Sequence, residues 1–298
     1  MPRRNTSKPN PIHPGRLAPN QGRPGPRARS PLDAASSELD ATIRQIRRLR
    51  GREERERTGT CYVEGARIVA RALRAGFTIE RGVVAPDLLS GDYGLSIAAE
   101  LRRAGVPMVE LSPPAFGSIS FKESLQGIGA VVRTRFESLP DVDLTGTLGW
   151  VALDAVGNPG NLGAILRTCE AVGCAGIIAL GDTVDPYHPA AVRASMGAVF
   201  DQRFARTSFA EFARWKRERG YPVIGTSGGA PREYREVAYH APVVLLMGSE
   251  RLGLADEQQA VCDQLVRIPM VGTVDSLNLA VATSVVLYEV FQQNRPAP

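Results

Sequence analysis

The segment PVVLLMGSE, residues 242–250, sets the tightest limit on what this chain can become. Its apolar run has no polar residue alternating into it, so a strand built from it has no face to give to water. Such runs belong to parallel sheets covered by helices on both sides, whereas a half-exposed antiparallel strand alternates. GWVALDAV (149–156) and GIIAL (176–180) have the same character. Between and after them lie stretches of helical periodicity, and β alternating with α at this pitch predicts helices packed on a sheet. A length of 298 residues suffices for about two domains with a sizeable core.

The chain divides by composition. From Met1 to Pro31 it is Pro, Arg, Asn and Gly without a single acid. A segment of that kind cannot bury enough apolar surface to offset its ordering entropy, so residues 1–35 are expected to be a disordered basic tail. Order is expected from Ser36 or Ser37, where Leu39, Ile43, Ile46 and Leu49 fall at helical spacing among arginines. This amphipathic basic helix has Gly51 and Gly59 as candidate ends. A first α/β block follows: a strand and helix in TCYVEGARIVARALRAGF, strands in IERGVVAP, VPMVELS and GIGAVVRTR, and a helix in LSIAAELRRAG. FESLPDVDLTGT reads as a linker. The second block runs from GWVALDAV through NPGNLGAILRT, GIIAL, HPAAVRASMGAVF, FARWKRERG, PVIGTS and PVVLLMGSE to a closing strand, loop and long helix.

Charge and residue usage narrow the function. The net charge of +5 is concentrated in residues 1–57, which hints at a polyanionic partner. Four scattered cysteines without CxxC spacing argue against a disulfide framework or a zinc site and for a reducing cytoplasm. No apolar run approaches the roughly 18 residues of a membrane helix, so a soluble protein is expected. A P-loop and a dinucleotide GxGxxG are both missing. The histidines (His13, His188, His240) have no catalytic context, and His188 fits a helix start better than a base.

Three loops each follow a buried strand: NPGNLGAILRT (158–168), MGSERLGL (247–254) and IPMVGTVDSLNLAVA (268–282). Ligands of open α/β sheets bind outside the carboxyl ends of the strands, so these loops are expected to converge. The first holds more shaped backbone and more side-chain amides than a turn and a helix cap require.

In order and context the three loops resemble the signature motifs of the SpoU/TrmH family of RNA 2′-O-methyltransferases in the SPOUT superfamily. VEGARIVARAL and FKESLQGIGAVV more weakly resemble an L30e-like substrate-binding domain. The resemblance implies an α/β fold: a C-terminal SPOUT domain with a deep trefoil knot (148–298) and an N-terminal L30e-like RNA substrate-binding domain that includes the basic helix (36–136), joined by a linker (137–147). It also implies bound S-adenosyl-L-methionine, a homodimer through the C-terminal domain, and 2′-O-methylation of a ribose in structured RNA, with 23S ribosomal RNA favoured. A transfer-RNA enzyme and a non-catalytic RNA-binding SPOUT protein are the alternatives.

Residue by residue, Arg167 matches the family's functional arginine, and Asn161, Glu250, Ser276 and Asn278 complete the catalytic set. The cofactor set is Leu246, Met247, Gly248, Ile268, Pro269, Met270, Ser276, Leu277 and Asn278. A guanidinium with a pKa above about 12 is a poor base; a phosphate clamp or a stabiliser of developing alkoxide charge is physically easier. Plain structural roles compete: an Arg167–Glu170 surface pair, Asn161 as a helix N-cap, and Ser276 as the cap of the last helix. The second motif departs from the family's usual Gly-Asn-Glu, with Gly248-Ser249-Glu250 in its place.

Overall fold

The computed structural model describes residues 31–89, 91–121 and 124–295, with side chains from residue 38 onward. The expected disordered tail therefore lies mostly outside the described residues, but its last part does not. Helix α1 (Pro31–Arg48) already begins at Pro31. The chain divides into two compact units at Glu38/Leu39, and the second holds both sheets.

Both candidate glycines interrupt the basic helix. α1 stops before Gly51, α2 (Arg52–Thr58) follows, and Gly59 ends α2 in the left-handed conformation at φ 63°. Leu49 and Ile46 are buried, as their spacing predicts. Next come β1 (Thr60–Glu64), α3 (Ala66–Arg74), β2 (Ile79–Val84), α4 (Asp92–Arg103), β3 (Met108–Glu110), α5 (Pro113–Ile119) and β4 (Ile128–Arg133). They form a four-stranded sheet in the order β1-β4-β2-β3, with only β2 and β3 parallel. Sequence reading missed α5, whose two prolines occupy the first helical turn, where an N–H is not needed.

The segment expected to be a linker is packed instead. The Glu137 N–H donates to Phe204 O at 2.7 Å, and Leu139, Val142 and Leu144 are buried in the second block's core. Three apolar residues spaced through a Pro- and Asp-rich stretch show no periodicity, so only the tertiary contact reveals them.

The second block contains β5 (Gly149–Asp154), α6 (Pro159–Val172), β6 (Gly176–Leu180), α7 (Pro189–Ala194), β7 (Arg203–Thr207), α8 (Phe209–Arg219), β8 (Val223–Thr226), β9 (Arg232–Glu233), β10 (Val243–Met247), α9 (Asp256–Val261), β11 (Gln264–Arg267) and α10 (Leu279–Asn294). The seven strands are ordered β7-β6-β5-β10-β8-β11-β9, and every pairing is parallel. The apolar runs behave as expected. Val243, Leu245 and Met247 join the core beneath α6 and α10, while Val244 and Leu246 join the one beneath α8 with Trp150 and Phe212. β7 and α9 escaped sequence reading: RFART has only two apolar residues, set between Arg203 and Arg206, and DEQQAV has almost no apolar face.

This order positions the site. From β5 the chain steps outward to β6 and β7, then returns to the other side through β8 and β10. The strand order reverses between β5 and β10, which is where open α/β sheets leave a crevice at their carboxyl ends. Gly163 brings α6 against α7: a Cβ there would sit 2.4 Å from the Ala194 Cβ and 2.7 Å from Ala191 O. No helix among the described residues is long and apolar enough to cross a membrane.

Candidate active site

The three loops converge. They leave β5, β10 and β11 and meet through Asn161. Its Nδ2 donates to Glu250 Oε1 at 2.5 Å, and its Oδ1 accepts from Asn278 Nδ2 at 3.0 Å. One residue from each loop thus joins a single chain of hydrogen bonds, linking positions 89 and 117 residues apart in sequence.

Local structure explains why Asn161 is free for this. The α6 N-cap is Asn158, whose Oδ1 accepts from the Gly160 and Asn161 N–H groups at 2.8 and 3.4 Å. Pro159 fills the first helical position, where it fits. Asn161 is therefore not the cap, and its amide is left for the site. The same division holds at α10, where Asn278, not Ser276, is the cap, its Oδ1 accepting from Ala280 and Val281 N–H. Asn278 thus caps a helix with its oxygen and reaches Asn161 with its nitrogen.

Behind this latch lies a cleft of about 310 Å³. Of the expected cofactor residues, Met247, Gly248, Ile268, Met270, Ser276 and Leu277 line it. Leu246 does not: it sits on the opposite face of β10, fully buried beneath α8, so only its backbone is available. Pro269 and Asn278 flank the lining without belonging to it. Gly248 is required by a close approach, since a Cβ there would lie 2.2 Å from Gly253 O. Ser249 closes the same loop. Its backbone exchanges hydrogen bonds with Gly253 at 3.1 and 3.0 Å, and its Oγ accepts from Leu252 N–H at 3.1 Å. A short hydroxyl in place of the usual asparagine is thereby employed within its own turn.

Sequence reading missed one wall. Thr226, Ser227 and Gly228, at the end of β8, also line the cleft. The signal was available in principle, because TSGG follows a buried strand at the same end of the sheet as the three loops. Asp275 and Glu250 add carboxylates to the lining, and Arg251 and Arg267 add cations. Arg267 is engaged, donating to Ala230 O, Pro231 O and Glu233.

Arg167 is exposed and makes no hydrogen bond or ion pair with the described residues. Glu170, its plain structural partner, is instead paired with Arg71 of α3 at 2.6 Å. Nor do Asn161 and Glu250 hold Arg167; they hold each other. Seven residues beyond Asn161 on the same helix stripe, Thr168 shares a 2.8 Å hydroxyl bond with Ser284 of α10. Arg167 lies one residue away from that stripe, facing solvent beside the α6–α10 contact. His188 caps α7, its Nδ1 accepting from Ala190 N–H at 3.1 Å, as its position suggested.

Comparison with known proteins agrees with this geometry. Residues 150–288 match the model of the SpoU rRNA Methylase family, and residues 40–130 match an MRM3-like substrate binding domain. The chain is 30% identical over 275 residues to the 23S rRNA (uridine(2479)-2′-O)-methyltransferase of Streptomyces viridochromogenes, covering 89% of this chain and 94% of that protein. It is 28% identical to the 23S rRNA (guanosine(2553)-2′-O)-methyltransferase RlmP of Bacillus subtilis, covering 83% and 94%. Among solved structures, the AdoMet-bound rRNA methyltransferase from Sinorhizobium meliloti superposes with a TM-score of 0.78 at 35% identity, covering 86% of this chain and 95% of that one. The fold, the meeting of the three loops and these likenesses agree: the chain belongs to the SpoU rRNA methylase family.

Proposed function

We propose that this protein is an enzyme that methylates a ribose 2′-hydroxyl of structured RNA, with 23S ribosomal RNA as the substrate class, using S-adenosyl-L-methionine. The observation that carries the proposal is the Glu250–Asn161–Asn278 chain, which closes three separate loops over one cleft. The 23S rRNA methyltransferase names of the relatives support the substrate, and the AdoMet-bound relatives support the donor. The cleft suits that donor by its chemistry: apolar walls from Ile268, Met270 and Leu277, strand-end backbone at Met247 and Gly248, and carboxylates of Asp275 and Glu250 for positive charge. When bound, it supplies a methyl group activated by a sulfonium.

The protein's own residues have two tasks. They orient the ribose, and alignment alone can be worth about 7–11 kcal/mol. They also favour loss of the hydroxyl proton. Arg167 is exposed and unpaired among the described residues, so its guanidinium is available to clamp a phosphate or to stabilise the developing alkoxide. Glu250 is held by Asn161 at the rim, and Ser276 adds a hydroxyl inside the cleft.

The finer architecture belongs to the same proposal. Residues 148–298 form the SPOUT domain with its deep trefoil knot, consistent with β10 lying between β5 and β8. Residues 36–136 form the L30e-like RNA-binding domain. A second copy docks on the exposed apolar residues Val271, Val274, Val281 and Tyr288 of the last loop and α10 to make a homodimer. A ribosomal substrate places the enzyme in the cytoplasm.

The test is methyl transfer from radiolabelled S-adenosylmethionine to separated ribosomal and transfer RNA from a host lacking the protein. Alkali-resistant label in 23S RNA, reduced about 10²–10³-fold in Arg167→Ala, is expected. Label in transfer RNA alone, in base nitrogens, or in neither RNA would overturn the proposal.

A further inference from the structure

Behind the exposed latch, a second connection ties the same loops together. Gln258, on α9, is 6% exposed, yet both ends of its amide are used. Its Oε1 accepts from Ala255 N–H at 2.8 Å, and its Nε2 donates to Asp154 Oδ2 at 2.7 Å. Asp154 is the last residue of β5, at the root of the first loop. The next residue, Ala155, takes a left-handed φ of 51°, unusual for a residue with a Cβ, as the chain turns away from the sheet. Ala255 follows directly on Gly248–Leu254, the loop that forms much of the cleft wall. Gln259 adds a bond from its Nε2 to Leu254 O at 2.9 Å.

We propose that Gln258 is a positioning residue for donor binding, its buried amide clamping the Gly248–Leu254 loop to the carboxyl end of β5. This rests on the methyltransferase reading above. Apart from the exposed Glu250–Asn161 bond, the loop has few other restraints: Arg251, Leu252 and Gly253 are exposed, and its internal bonds join Ser249 only to Leu252 and Gly253. The C-terminal half of the loop is placed over the cleft where it rejoins the fold, at the buried Leu254 and at Ala255. Gln258 does not line the cleft, so it acts on the donor only through the loop.

Gln258→Glu keeps the shape and the acceptor for Ala255, but replaces the donor to Asp154 with a second carboxylate. Asp154→Asn alone keeps an acceptor for Gln258, and combining the two substitutions restores a donor–acceptor pair with the roles exchanged. The measurement is steady-state methyl transfer to 23S RNA, with donor affinity by calorimetry and thermal unfolding in parallel. For Gln258→Glu the expected result is a donor KM and Kd raised about tenfold, with kcat at saturating donor and KM for RNA unchanged. Asp154→Asn stays within about threefold of wild type, and the double variant returns to that range. An unchanged donor KM in Gln258→Glu overturns the clamp. So does a loss the double variant fails to restore, or one as large in Asp154→Asn. If Gln258→Glu does not fold, the isosteric Gln258→Met is read the same way on donor KM. Wild-type protein that transfers no methyl group defeats the methyltransferase reading itself, a separate outcome visible before any variant is compared.

Discussion

Arg55 and Arg167 are the same side chain in opposite settings, and the two settings suit different roles. Arg55 is 2% exposed and its partner Asp185 is 4% exposed. Its Nε donates to Asp185 Oδ2 at 2.7 Å, and its Nη1 donates to the carbonyls of Leu49 and Arg50 at 2.9 and 2.8 Å. Asp185 also accepts from Arg206 at 3.2 Å and from Tyr187 N–H at 3.0 Å. This guanidinium is consumed in joining α2 to the turn after β6. Arg167 has no partner among the described residues and is exposed, where holding an idle cation costs little. A buried charge persists only if its surroundings satisfy it, so Arg55 is a structural residue. An exposed cation in a motif is free to meet a ligand, which is the setting the role proposed for Arg167 requires.

The sharpest way to break this contrast is to remove each charge while keeping the aliphatic stem. Arg55→Met leaves Asp185 under-neutralised and two carbonyls without their donor, a class of change that costs about 3–5 kcal/mol. Arg167→Met changes unfolding stability by no more than about 0.5 kcal/mol, as for a surface substitution. Denaturant unfolding of both variants checks this. Equal losses, or a larger one at Arg167, would mean that the two settings have been misread.

The sequence distinguishes these arginines only in part. Arg167 stands out because NPGNLGAILRT surrounds it, and the strand-end loops at Met247 and Ile268 are legible for the same reason: local chemistry marks them. Arg55 lies in REERERT, where every neighbour is charged and nothing in the local pattern says which residue turns inward. Its partner lies 130 residues away. Gln258 in DEQQAV and Leu139 in the supposed linker are hidden likewise, because a pairing made across the fold leaves no periodic trace. The parallel sheet itself was readable from its uninterrupted apolar runs, whereas RFART, partly exposed at the sheet's edge, carried too few apolar residues to declare itself.

A finer version of the contrast uses two asparagines three residues apart. Asn158 caps α6, and Asn161 reaches across the loops. Asn161→Ala removes two side-chain hydrogen bonds, one of them to a carboxylate, and is expected to lower kcat/KM for methyl transfer by about ten- to thirtyfold, equivalent to about 1.4–2 kcal/mol. Its melting temperature should stay near wild type. Asn158→Ala reverses the pattern, with about 1 kcal/mol lost from folding through the missing cap and a smaller change in rate. If the two variants had the same profile, the separation between cap and latch would not hold.

The smallest expected effect lies beside Arg55. Burial, helped by the Arg55 guanidinium, holds the His188 pKa below its ordinary value, against a weaker opposing pull from Asp185. The neutral ring is also needed for the cap, because Nδ1 accepts the Ala190 N–H. The unfolded chain therefore takes up a proton at higher pH than the folded one. The stabilising contribution of His188 is fully present above the unfolded value of about 6.5 and is lost as pH falls from there through the lower folded value. His188→Asn keeps a capping oxygen without a titrating group. Melting temperatures measured from pH 7.5 down to 5.5 should fall slightly more steeply for wild type than for His188→Asn. Identical slopes would show that the cap does not depend on the neutral imidazole, and that the cationic surroundings of Arg55 do not extend to α7.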